Sequence, residues 1–115
     1  MALQLKRVYD EPDPADGERI LVDRLWPRGL NKQAARLDLW LKDVAPSAEL
    51  RRWFHHGAER WEEFRIRYRD ELRDNPHIAE LRRKIAAGPV TLLYAARDRE
   101  RNHALVLAEF LAGDK

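Results

Sequence analysis

The chain of 115 residues contains no cysteine. It therefore has no thiol that could form a disulfide, hold a metal as a thiolate or attack a substrate. No apolar run approaches the ~20 residues that cross a bilayer. The first residues also lack the basic start and the apolar core of a signal peptide. We therefore expect a cytoplasmic protein that makes no membrane contact.

The short motifs of several enzyme classes are missing as well. The chain has no phosphate-cradling glycine motif, no serine elbow and no paired histidine–glutamate metal motif. Neither sign of charge dominates, because 22 basic residues face 20 acidic ones. A mixed, mildly basic surface does not by itself identify a nucleic-acid binder. The length predicts one domain, residues 1–115, with a core of its own.

Two short apolar runs are typical of strands buried on both faces of a sheet. The first, Ile20 to Val22, continues into Asp23 and Arg24, so we predict a strand over about 19–25. The stiff segment Trp26-Pro27-Arg28-Gly29 ends that strand. The second buried run covers residues 90–95.

Amphipathic helices separate these two strands. Apolar spacing and capping residues predict helices that begin after Ser47, at about 58, after Asn75-Pro76 and at about 101. Weaker strand patterns cover residues 3–9 and 37–41. Strands joined through long helices need crossover connections. The predicted fold class is therefore α/β: a small three-layer domain with a mainly parallel sheet of three to four strands flanked by helices.

Charged and polar side chains follow the predicted strands. In a parallel sheet the carboxyl ends of the strands share one edge, where ligands commonly bind. We predict that Arg24, Arg28, Asp98 and His103 converge there around an anion. The full set of candidates comprises Asp23, Asp98 and His103 for chemistry and Arg7, Arg24, Trp26, Arg28, Arg97 and Asn102 for binding.

The residue types suggest how such a site would work. Arginines beside a helix N-terminus suit a phosphate or a carboxylate. Aspartates could orient a guanidinium or take a proton, and His103 is the natural proton carrier because histidine titrates near neutrality. Trp26 could stack on a planar ligand or simply close the core. The alternative is an Arg–Asp network that only pins loops.

A metal site is not predicted, and no cofactor is expected. His55 and His56 are adjacent, and adjacent helical side chains point about 100° apart, so the pair does not easily chelate one ion. One of them could still join His103 and a carboxylate in a site.

Six strings keep one order along the chain: Lys6-Arg7-Val8-Tyr9-Asp10, Asp16-Gly17, the run from Ile20 to Gly29, Pro46-Ser47 with Glu49-Leu50-Arg51, Thr91-Leu92-Leu93-Tyr94, and Asn102-His103-Ala104. Together they resemble the YeaO-like family of bacterial proteins, a domain of unknown function. The wider superfamily often carries Cys-His-Arg after its last strand, and only His103 carries over here. The resemblance therefore gives no support to an activity that needs that thiolate or that arginine.

Two functions of different class remain open at this point. One is binding of, or action on, an anionic ligand, phosphorylated or carboxylated and including nucleotide-like molecules, at the carboxyl edge of the sheet. The other is a non-catalytic module that binds nucleic acid or a protein partner. A third, metal-dependent hypothesis would combine His103 with Asp98 or with one residue of the 55–56 pair.

Overall fold

The computed structural model describes residues 3–55 and 57–113. Its centre is a four-stranded parallel sheet in the order β1-β4-β2-β3. The strands are β1 (Leu3–Arg7), β2 (Glu18–Leu21), β3 (Leu39–Trp40) and β4 (Val90–Tyr94). The helices are α1 (Lys32–Ala35), α2 (Ala48–Phe54), α3 (Trp61–Arg73), α4 (His77–Ala87) and α5 (His103–Leu111). The predicted α/β class with a parallel sheet is confirmed.

Several element boundaries differ from those expected. Short 3-10 turns cover Pro14–Asp16, Lys42–Val44 and Ala58–Arg60, so the helix predicted from residue 58 becomes regular only at Trp61. The unpredicted α1 begins after Asn31, whose side chain accepts hydrogen bonds from the backbone N–H groups of the next turn. Such capping satisfies donors that a helix start leaves without partners.

The four longer helices lie on one face of the sheet. Ile20 and Leu92 point into this face and pack against Tyr68 of α3 and Leu107 of α5, all of them fully buried. All five residues of β4 are buried, which is expected of a strand that lies between β1 and β2. This face holds most of the hydrophobic core.

The opposite face has a thinner cover. Val8, Leu21 and Leu93 are buried there beneath Trp26 and other apolar side chains of the connection between β2 and β3. That connection runs from residue 22 to residue 38 and contains the single turn α1. On this face a largely irregular segment therefore covers the sheet, whereas long helices cover the other face.

A buried polar cluster ties this second face together; we call Lys6, Asp16 and Arg19 the charged cluster. Arg19 donates to the carboxylate of Asp16, and its remaining N–H groups reach the carbonyls of Ala35 and Arg36. The Lys6 ammonium lies 3.1 Å from the same carboxylate. The cluster thus joins β1, β2, the loop before β2 and the end of α1.

The charge state of Asp16 follows from these contacts. Burial alone would raise the pKa of its carboxyl, but hydrogen bonds from the Asp13 backbone, Lys6 and Arg19 outweigh burial and leave the pKa lowered. Asp16 is therefore ionised at neutral pH, as the buried Arg19 requires.

No helix in the described part of the chain is long and apolar enough to span a membrane.

Candidate functional site

The carboxyl end of β2 delivers Asp23 to the edge of the sheet. The backbone ladder continues to Val22, whose N–H donates to Leu93 over 3.0 Å. The next donor, the N–H of Ala95, is then bound by Asp23 Oδ2 at 3.2 Å. Because a side chain replaces the backbone acceptor, the strand ends at Leu21 and not at the predicted residue 25. Asp23 is thereby held with its carboxylate beside β4.

His103 meets Asp23 from the N-terminus of α5. Its Nε2 atom lies 3.0 Å from the Val22 carbonyl and 3.2 Å from Asp23 Oδ1. Both neighbours are acceptors, so Nε2 carries a proton. The geometry favours the Val22 carbonyl, and the buried Oδ1 atom makes no hydrogen bond within the described residues. The other ring nitrogen, Nδ1, makes no hydrogen bond within the described residues.

Asn102 fixes the position of His103. Its Oδ1 accepts from the N–H of Leu105 at 2.9 Å, and its amide donates to the Asp98 carbonyl at 3.0 Å. The side chain is almost wholly buried. Both of its polar atoms are thus used to cap α5 and to hold the preceding turn.

Tyr68 supports the ring of His103 from behind, with the two ring centroids 6.3 Å apart in an edge-on contact. Its hydroxyl donates to the Val44 carbonyl at 2.7 Å. Burial raises the pKa of this hydroxyl well above its usual range, so it remains a donor.

A cavity of about 270 Å³ opens in front of these groups; we call it the edge cavity. Asp23, Asn102 and His103 lie at its inner end, where little of each side chain is exposed. Its walls are largely apolar and include Phe54 and Phe64. The other lining residues are Arg24, Leu25, Ala45, Pro46, Arg51, His55, Ala96 and Arg101.

Arg24 lines the edge cavity but is largely committed to the backbone. Its guanidinium donates to the carbonyls of Ala45 and Pro46, each at 3.2 Å. Its third nitrogen lies 3.9 Å from a carboxylate oxygen of Asp43. Arg24 therefore pins the loop before α2, and only part of its charge is available to a ligand.

Two further arginines, Arg51 and Arg101, and the imidazole of His55 surround the mouth of the cavity. Within residues 3–55 and 57–113, none of these side chains forms a hydrogen bond or a salt bridge, although the charge of Arg101 contributes to the lowered pKa of Asp98. Arg101 and His55 are exposed and Arg51 is half-buried. We call these three residues the cationic rim.

Sequence reasoning missed Arg51 and Arg101, and it considered His55 only as one of a pair. One signal was available, since Arg51 and His55 are four residues apart and so share one helix face. His56 lies outside the described residues. In the described part of the chain, no three histidine, aspartate or glutamate side chains form a group that could hold a metal ion.

Several predicted site residues lie elsewhere, and the predicted convergence is corrected accordingly. Arg28 is exposed and outside the edge cavity, and its backbone carbonyl accepts from the Tyr9 hydroxyl. Arg97 is also exposed and lines no part of it. Asp98 is turned back on its own chain, where it accepts from the N–H groups of Glu100 and Arg101, both at 2.9 Å. These backbone hydrogen bonds lower the pKa of the Asp98 carboxyl.

The side chains of Arg7 and Trp26 stabilise the fold and do not line the edge cavity. Arg7 donates to the carbonyls of Ala95 and Ala96, at 3.1 and 2.8 Å, and so holds the chain that leaves β4. Trp26 packs on the second face of the sheet and donates to the Leu30 carbonyl at 3.2 Å. The loop that carries Trp26 folds onto the second face of the sheet, so Trp26 does not line the cavity. Of the nine predicted residues, the edge cavity brings together Asp23, Arg24, Asn102 and His103.

Comparison with known proteins gives matches along nearly the whole chain. Residues 2–114 match a family described as the inactive DUF488-N3 subclade. An uncharacterised protein of Mycobacterium tuberculosis is 50% identical over 111 residues, which cover 96% of this chain and 94% of the relative. The uncharacterised protein YeaO of Escherichia coli is 46% identical over 115 residues, with 96% and 97% covered. No solved structure gives a significant match.

Proposed function

The chain belongs to the inactive DUF488-N3 subclade of YeaO-like proteins, and from that premise we propose that it binds a small anionic ligand in the edge cavity without converting it. The family resemblance predicted from the six sequence strings is confirmed. The ligand and the absence of turnover are the proposal.

The cationic rim is the observation that carries this proposal. Some arginines of this chain pair with acidic side chains, as Arg67 does with Glu63 one helical turn away. Arg51 and Arg101, which both line the edge cavity, form no salt bridge in the described part of the chain, although the sequence is almost balanced in charge. Guanidinium groups left unpaired around a concave, partly apolar cavity are typical of sites for phosphates and carboxylates.

Two observations favour binding over catalysis. The family description calls the subclade inactive. In this chain both polar atoms of the Asn102 side chain make hydrogen bonds that cap α5 and hold the preceding turn. A side-chain amide is also not a nucleophile. No serine, threonine, cysteine, lysine or tyrosine side chain lines the edge cavity within the described residues.

Binding can be tested by a titration monitored by two-dimensional NMR. Benzoate, phenyl phosphate and inorganic phosphate serve as anionic probes, and benzylamine as a cation of similar size. We expect shifts at residues of the edge cavity with the anions and none with the cation. Substitution Arg51→Gln should weaken anion binding about tenfold or more, because a charge-assisted hydrogen bond contributes ~1.5–3 kcal/mol.

Arg52→Gln is the matched control, since this neighbouring arginine is exposed and does not line the cavity. It should leave the affinity unchanged. If no anion shifts the cavity resonances, or if both variants weaken binding equally, the proposal is wrong.

Binding of nucleic acid or of a protein partner is the competing function. It would give shifts over a broad surface with a short oligonucleotide, and an affinity that falls steeply with salt. The cytoplasmic location stays part of this proposal, and fractionation of cells that express the chain tests it.

A further inference from the structure

Charge is distributed unevenly along the depth of the edge cavity. The Asp23 carboxylate lies at the inner end, and its side chain is only 17% exposed. The unpaired cations lie at the mouth. An anion placed at the inner end would face a like charge in a poorly solvated position, which is unfavourable. An anion at the mouth would instead meet Arg51 and Arg101.

The walls between these two ends are aromatic and apolar. The rings of Phe54 and Phe64 are stacked, with centroids 4.4 Å apart and an angle of 23° between their planes. Phe64 is 2% exposed, whereas Phe54 is half-buried and lines the cavity on its open side. Flat apolar surface of this kind favours contact with a ring or another apolar body.

The volume limits the size of that body. An engineered cavity of about 150 Å³ accommodates benzene. The edge cavity, at about 270 Å³, therefore has room for one six-membered ring together with a charged substituent. A base, a sugar and a phosphate together would not be enclosed.

We propose that the occupant is a single-ring organic anion that binds with its ring against Phe54 and Phe64 and its charge at the cationic rim. This inference rests on the proposed function and specifies the class and the orientation of the ligand. The ring replaces water along the apolar walls, and the anion satisfies Arg51 and Arg101. Asp23 disfavours the reverse orientation.

Three matched probes separate the parts of this inference. Benzenesulfonate carries a ring and a fixed negative charge, methanesulfonate carries the charge without the ring, and benzenesulfonamide carries the ring without the charge. Dissociation constants from calorimetry should place benzenesulfonate at least tenfold tighter than methanesulfonate and at least fivefold tighter than benzenesulfonamide. Adenosine 5′-monophosphate should bind no more tightly than benzenesulfonate.

Two variants assign the contacts. Arg51→Gln should weaken benzenesulfonate and methanesulfonate by the same factor and leave benzenesulfonamide unchanged. Phe54→Leu should weaken only the two ring-bearing probes, and Arg52→Gln should change none of them. Because Phe54 also packs on the core, nuclear Overhauser effects in the unmodified protein give a second readout. They should connect the ring protons of benzenesulfonate with the rings of Phe54 and Phe64.

The outcomes distinguish this inference from the proposed function. If methanesulfonate binds as tightly as benzenesulfonate, or if ring contacts to Phe54 and Phe64 are absent, the inference is overturned while anion binding stands. Tighter binding of adenosine 5′-monophosphate overturns the single-ring limit. If none of the anions binds, the proposed function falls as well.

Discussion

Asp16→Ala should destabilise the protein by about 3–5 kcal/mol, the usual cost of removing one partner of a buried ion pair. The side chains of Asp16 and Arg19 are 2% and 5% exposed. Without the carboxylate, the guanidinium keeps its contacts with the Ala35 and Arg36 carbonyls but loses its counter-charge. Lys6 loses the same partner.

Urea unfolding, followed by circular dichroism, measures this loss. For a domain of this size each kcal/mol corresponds to a shift of Tm of roughly 4 °C, so we expect Tm in a parallel thermal melt to fall by about 12–20 °C. Asp70→Ala is the matched control, because Asp70 pairs with Arg73 on the exposed side of α3. Exposed pairs contribute ~0–1 kcal/mol, and the control should lie near the parent.

A second variant tests the cause. The double substitution Asp16→Ala with Arg19→Met removes the buried guanidinium charge together with its carboxylate partner. It should be more stable than the sum of the two single changes predicts. A loss below about 1 kcal/mol for Asp16→Ala, or strict additivity in the double variant, would refute the argument that the charged cluster holds the second face.

Three further predictions concern other parts of the fold. Trp26→Ala should lower the free energy of unfolding in urea by about 3 kcal/mol and leave benzenesulfonate binding by the folded fraction unchanged. A loss of binding without a loss of stability would instead show that Trp26 contacts the ligand. Gly17→Ala should cost about 2–4 kcal/mol, because Gly17 has φ +65° and an added Cβ would lie 2.2 Å from the Pro89 carbonyl oxygen; near-parent stability would contradict this. The two hydrogen bonds from the Arg99 guanidinium lower the pKa of Asp10, so the pair stabilises the fold above the ordinary carboxyl pKa of about 3.9 and ceases to do so as pH falls through the lowered value. The urea midpoints of parent and Asp10→Asn should therefore differ at pH 7 and converge as the pH falls through that lowered pKa; a constant difference would count against this account.

Sequence patterns located the main strands and helices because these elements are marked by their burial. β4 is apolar throughout, and α3 buries a regular stripe from Trp61 to Leu72. By contrast, α1 has a single turn, Lys32–Ala35, with no apolar stripe, and its start depends on the Asn31 cap. Periodicity carries no signal for an element that short.

The candidate site divides in the same way. Asp23 and His103 follow buried strands, so parallel topology alone brings them to one edge. Arg51 and His55 reach that edge because α2 packs on α3 through the Phe54–Phe64 contact, and no strand pattern encodes this approach. Trp26 lies outside the edge cavity for a related reason, since local sequence does not state which side of the sheet its loop will cover.

The strand order has a consequence for how the protein acquires its fold. Leu3 of β1 lies opposite Val90 of β4, and Ile20 of β2 lies opposite Leu92. During synthesis, β1 and β2 are made early, yet the strand that joins them appears near the end of the chain. Until then the strand edges that will face β4 have backbone N–H and C=O groups without partners, and pairing must close loops of about 70 to 90 residues. We therefore expect the sheet to assemble late and as a unit, with nascent chains that end before β4 exposing surfaces that chaperones recognise.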